Sequence, residues 1–182
     1  MIQLEIKMLK HPSDEDWAFV KTCALNTMGK RAATLPTDEW KKKILRAEHS
    51  PIRTLWFAFE MHIPSWVSVH YCRHNVGCLH FVQSQRNDRQ SNYDRNKAPQ
   101  DELVSHVMSI NAQQLVYMAH KRLCNQASPE TRAVMQQIVD EVIKTNPEFK
   151  DYLVPLCEYR GGLCTEFHPC GYNKKFKEKP ND

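Results

Sequence analysis

A chain of 182 residues is long enough to bury one core without staples, and one domain is the default at that length. Basic side chains exceed acidic ones by only four, so any attraction for phosphate must come from local clustering, and bulk nucleic-acid binding is not indicated. No stretch approaches the roughly 18 apolar residues of a membrane helix, and the first residues lack a signal-peptide layout, which predicts a soluble, cytoplasmic protein with no membrane partner.

Ile2, Leu4, Ile6 and Met8 alternate with polar residues, the period of two that predicts a half-buried strand over 2–9. Ser13 is placed to cap a helix whose first turn, Asp14-Glu15-Asp16, complements the dipole, and Trp17, Val20, Ala24 and Met28 follow at helical spacing until Gly29. Thr37 opens a second, short helix with Trp40 and Ile44 on one face. Beyond the polar turn at Glu48-His49-Ser50-Pro51, the alternation of Leu55, Phe57, Phe59, Met61 and Ile63 predicts a strand over 54–63. Pro64 then suits the first turn of a helix that ends near His70, Arg73 and His74.

A further strand is expected from Leu79 to Arg86, which puts Ser84 and Arg86 on one face. Residues 87–100 read as a long polar loop. From Asp101 the apolar residues Leu103, Val107, Ile110, Leu115, Met118 and Leu123 predict one helix of about six turns. Ser128-Pro129-Glu130 starts the next, with Val134, Ile138 and Val142 on its buried face. The charged segment from Asn173 to Asp182 is expected to be disordered.

The chemistry concentrates between residues 70 and 89, where His70, Arg73, His74, Ser84, Arg86 and Arg89 combine guanidinium forks, imidazoles and a hydroxyl. Such forks hold phosphate bidentately, while imidazole and hydroxyl add directional hydrogen bonds, so the set equips an anion site. The plainer alternative is a surface loop whose arginines pair with Asp88 and Asp94. Seven cysteines without an export signal argue for thiols or metal ligands over disulfides.

The order of these motifs resembles the flavin-dependent thymidylate synthases, from about Glu48 to Arg132. That family carries a His-rich turn, a strand, a Pro-started helix ending in Arg-His-Arg, seven residues and Ser-Gly-Arg; here stand His49-Ser50-Pro51, Arg73-His74-Asn75, eight residues and Ser84-Gln85-Arg86. A second block, Asn-Ala-Arg opening a helix that carries a later Arg, appears as Asn111-Ala112-Gln113 and Arg122. The resemblance implies an α+β fold, an antiparallel sheet packed with long helices, as one domain over residues 1–172 that assembles as a homotetramer. It also implies methylation of dUMP at C5, with FAD as cofactor and NADPH and methylene-tetrahydrofolate as co-substrates.

Carried over by residue, the resemblance makes His70, Arg73, Ser84, Arg86 and Arg122 substrate-binding, with Ser84, Arg73 and Arg122 serving catalysis. Ser50, His74, Asn75, Asn111, Gln113 and Tyr117 occupy its flavin-facing positions, and Cys72 and Cys78 are packing thiols. The chain departs from the family at Asn75 and Gln113, each in place of an arginine, at Arg53 and Val82, each in place of a glutamate, and in the longer motif spacing. Two lost cations imply weaker binding of the FAD pyrophosphate. Separately, Cys124, Cys157, Cys164 and Cys170 in a turn-rich region form a candidate structural zinc set or a group of free buried thiols. An alternative function is therefore a catalytically silent zinc protein that holds a nucleotide, or less readily a nucleic acid, on the same arginines.

Overall fold

The computed structural model describes residues 4–90 and 93–176. Its frame is a four-stranded sheet, wholly antiparallel, in which β1 (Glu5–Lys10), β2 (Trp56–Pro64), β3 (Cys78–Val82) and β4 (Leu103–Asn111) lie in the order β1-β2-β4-β3. Alternation decides which face is buried. Phe57, Phe59, Met61 and Ile63 of β2 are fully buried, and Val104, His106, Met108 and Ile110 of β4 point the same way. The apolar members of this set other than Val104 meet helical side chains in one core, where each fully buried large apolar group contributes about 1.5–3 kcal/mol.

The helices cover that face. In α1 (Asp14–Asn26) Ser13 and Asp16 form a reciprocal capping box, and Trp17, Val20 and Ala24 are buried. Thr37 caps α2 (Asp38–Arg46). A 3-10 helix, Ser50–Thr54, leads into β2, and Pro64 closes that strand immediately before α3 (Ser65–Cys72). The longest helix, α5 (Pro129–Thr145), has Ser128 as its cap and buries Val134, Ile138 and Val142. A short α6 (Leu156–Tyr159) follows. The class is thus α+β with an antiparallel sheet, as expected.

Three expected elements change. The helix expected from Asp101 is instead strand β4 followed by α4 (Ala112–Arg122). The apolar positions fit a helical stripe by coincidence. Val104, Met108 and Ile110 also keep a period of two, and pairing with β2 on one side and β3 on the other satisfies the backbone of 103–111 as a central strand. The strand expected to reach Arg86 ends at Val82. There the Gln83 side-chain oxygen accepts from the Ser105 amide at 3.0 Å, taking the next position in the ladder. Ser84 and Arg86 consequently lie in the loop beyond β3, not on one strand face.

The start of the expected tail is ordered. Tyr172–Phe176 forms a 3-10 helix, in which Asn173 is buried and donates to the Gly162 carbonyl at 3.1 Å. The rest of that segment, and residues 2 and 3 of the first expected strand, lie outside the described residues.

Candidate functional site

The site forms where the segment after α3 runs beside α4. At one end Gly77 adopts φ +66° and its carbonyl accepts from the Asn111 amide at 2.9 Å. A Cβ there would stand 2.3 Å from Asn111 Nδ2, so the approach requires glycine as much as the dihedral does. Asn111 caps α4, its side-chain oxygen accepting from the Gln114 amide at 2.9 Å. At the other end Arg122 donates from Nε to His74 Nε2 at 2.9 Å and from Nη2 to the His70 carbonyl at 2.8 Å. Two motif blocks nearly fifty residues apart in sequence therefore form one structure.

His74 is buried and has Tyr117 at its ring edge, 6.0 Å between centroids. Burial, then the neighbouring Arg122 and His80, push its pKa down to about 4, so the ring is neutral near pH 7. A neutral ring that accepts from Arg122 at Nε2 carries its proton on Nδ1, so the Gln114 amide, whose Nε2 stands 3.2 Å away, serves this ring with its oxygen turned to Nδ1. His70, half-buried, contacts Thr131 Oγ1 through Nδ1 at 3.1 Å, and its pKa is lowered by burial and by Arg122 and Arg73. Arg73 is the exposed C-cap of α3, a second guanidinium on the same side as Arg122.

Beside this junction is a cavity of about 430 Å³ lined in part by Arg53, Gly77, Asn111, Gln113, Gln114 and Tyr117. Arg53 Nε donates to Gln113 Oε1. Gln113 thus holds the guanidinium of Arg53, from the 3-10 helix, on this wall. Of the expected flavin-facing residues, Asn111, Gln113 and Tyr117 line this cavity, and His74 reaches it through Gln114 and Tyr117. Ser50 and Asn75 are exposed and do not line it.

The expected substrate set divides. His70, Arg73 and Arg122 gather at the junction, while Ser84 and Arg86 are exposed on the loop after β3. There Arg86 forms a fork to Asp88, with Nε to Oδ1 at 2.8 Å and Nη2 to Oδ2 at 2.6 Å. For this arginine the loop ion pair is realised within the chain.

Sequence reasoning missed a histidine relay beneath α3. His106 is fully buried on β4; its Nδ1 lies 3.1 Å from Ser68 Oγ, and its Nε2 lies 2.9 Å from His80 Nδ1. His80 Nε2 in turn contacts the His74 carbonyl at 2.8 Å. Burial and His80 push the His106 pKa down to about 4. Cys72, His80 and His106 also place three donor atoms within 4.8 Å of one another. Neutral tautomers satisfy the whole series from Ser68 to the His74 carbonyl, so its hydrogen bonds account for the arrangement without an ion. The alternation of 104–110 was the signal that could have found His106.

The four expected zinc residues do converge. Cys124, Cys157, Cys164 and Cys170 all line a second cavity, of about 20 Å³, on the far side of His120. Among the described residues no helix is long and apolar enough to cross a membrane. No protein-family model matches the chain, and no curated protein matches it either.

Proposed function

We propose that this chain is a flavin-dependent enzyme that transfers a one-carbon unit to C5 of dUMP, on the plan of the flavin-dependent thymidylate synthases. The observation that carries this reading is the junction of the two motif blocks, with Arg122 bonded to both His74 and the His70 carbonyl. In it Arg122 and Arg73 provide guanidinium groups for the anionic nucleotide, pre-aligned by α3 and α4. The neutral His74 ring and Gln114 fix the Arg122 fork without competing for its charge. The cavity volume lies within the range of small-molecule pockets, and its polar wall, the half-exposed Tyr117 ring and the Arg53 guanidinium suit a flavin with its pyrophosphate. When bound, the flavin supplies the hydride chemistry that no side chain can perform, drawn from NADPH.

Ser84 and Arg86 complete the nucleotide set from a neighbouring subunit in a homotetramer. In support, Leu79 and Phe81 of the edge strand β3 are more than half exposed, an apolar surface that a subunit contact would cover. The test is direct. Purified protein is expected to bind FAD in a fluorescence titration and to convert dUMP to dTMP when given NADPH and methylene-tetrahydrofolate. Binding of dUMP without binding of FAD would instead identify a non-catalytic nucleotide-binding protein on these arginines. Binding of neither would overturn both readings.

A further inference from the structure

The C-terminal region from α6 onward presents a physical problem. Residues 160–171 contain no helix or strand, and Leu163 and Phe167 point outward, Phe167 being fully exposed. Apolar burial therefore does little to order the segment. What the segment does bring together is sulfur, on a half-buried Cys164 and an exposed Cys170. Cys164 and Cys170 meet Cys157 of α6 and Cys124, just past the end of α4, around one cavity of about 20 Å³. That is space for about one small occupant, since one water-sized sphere takes roughly 10–15 Å³.

A second observation points to an occupant. His120 is on the wall of the same cavity, one helical turn before Cys124, and its buried Nε2 has no hydrogen-bond partner. The opposite side of its ring is engaged by the Tyr152 backbone. An unpaired buried nitrogen costs about 1–3 kcal/mol, and Trp17 Nε1 is a second such group elsewhere in the fold; His120 lines the cavity without being one of the four ligands proposed for it.

We propose that Cys124, Cys157, Cys164 and Cys170 hold one structural zinc ion, which fastens the C-terminal segment to the end of α4. Four thiolates match the tetrahedral, closed coordination of structural zinc sites, and the reducing context that keeps thiols free also keeps them available to metal. On binding, four thiols lose their protons to solvent and four Zn–S bonds form, with no change of oxidation state. Among the described residues only Cys72, His80 and His106 have three donor atoms within 4.8 Å of one another, so the four sulfurs ring the cavity more loosely than bound ligands do. Rotation of cysteine side chains about χ1 between staggered positions would draw the sulfurs onto the ion. Cys124 is two residues beyond Arg122, so the metal would also hold the end of the helix that carries this arginine.

The experiment is elemental analysis of the full chain purified under reducing conditions, with about one zinc per chain expected. Cys157→Ser and Cys164→Ser should each lose the metal, while Cys72→Ser keeps it. If the serine variants do not fold, stripping the wild-type protein with a chelator is expected to expose four thiols to a thiol reagent for each zinc released. Wild-type protein without zinc would overturn the proposal. So would a metal lost in Cys72→Ser but kept in Cys157→Ser, which would place it at the Cys72, His80 and His106 cluster. Metal content is read without any nucleotide or flavin, so failure here is distinct from failure of the enzymatic reading.

Discussion

Gly77→Ala is the sharpest test of how the site is built. At φ +66° a side chain pays about 1–2 kcal/mol for the left-handed backbone. The new Cβ also meets Asn111 Nδ2 at 2.3 Å, which forces the Asn111 side chain off its bond to the Gln114 amide. Losing such a cap costs about 0.5–2 kcal/mol, so the variant is expected to be destabilised by about 1.5–4 kcal/mol in total. Urea denaturation followed by circular dichroism measures this. The mechanism makes a second demand. Asn111→Ala already gives up the cap and removes the clashing amide, so adding Gly77→Ala to it should cost only the backbone part. The double variant should then be more stable than the sum of the single effects by about 1 kcal/mol. Additive effects, or a Gly77→Ala cost below about 0.5 kcal/mol, would refute the claim that residue 77 is small because Asn111 needs the room.

Other expectations follow from the same geometry. Arg122→Lys keeps a charge but cannot span His74 and the His70 carbonyl, so calorimetry should find dUMP binding weakened about 10-fold or more, one charge-assisted hydrogen bond contributing about 1.5–3 kcal/mol; unchanged affinity would remove the residue from the site. Arg53→Ala is expected to weaken FAD binding by a similar factor at low salt, less at high salt, and a titration insensitive to both would separate the cavity from the flavin. His74 and His106 have pKa values near 4 in the fold against 6.5 for the free ring. The unfolded chain thus takes up protons first, so their contribution to stability is complete above about pH 6.5 and is lost as pH falls from 6.5 towards 4. Melting temperatures over that range should drop, and His106→Gln should flatten the drop; an unaltered profile would count against the neutral relay.

Local patterns that depend on neighbours in sequence were legible. The cap at Ser13, the alternation of Phe57, Phe59, Met61 and Ile63, and the start of α5 at Ser128 all lie where the residues place them. Residues 103–123 were not, because a strand's apolar positions can also fall on a helical stripe, and only pairing with β2 and β3 distinguishes the two. That error hid His106, whose partners Ser68 and His80 come from other elements. The reach of β3 depended on a side chain, Gln83, substituting for backbone in the ladder, which no periodicity encodes. Within the site, Arg122 and His74 were identified as individual residues. That one donates directly to the other is a fact of packing between α3 and α4.

The exchange at Arg53 and Gln113 changes what the departures from the family pattern imply. Counted along the sequence, two arginines are missing from the flavin-facing set, at positions 75 and 113. In space only one absence remains, because Arg53 reaches Gln113 and presents its guanidinium on the same cavity wall. A neutral glutamine accepts from that guanidinium and holds it in place, whereas a second arginine at 113 would repel it. On the proposed reading, the charge on the wall would be kept by position in space rather than by position in the chain. Asn75 differs, being exposed and outside the cavity lining, to which its own loop contributes only the uncharged Val76 and Gly77. A charge added there acts across solvent, where screening is strong and single pairs contribute little. On the proposed reading, the electrostatics of flavin binding would rest on Arg53, held by Gln113, and not on the count of arginines in the two motifs.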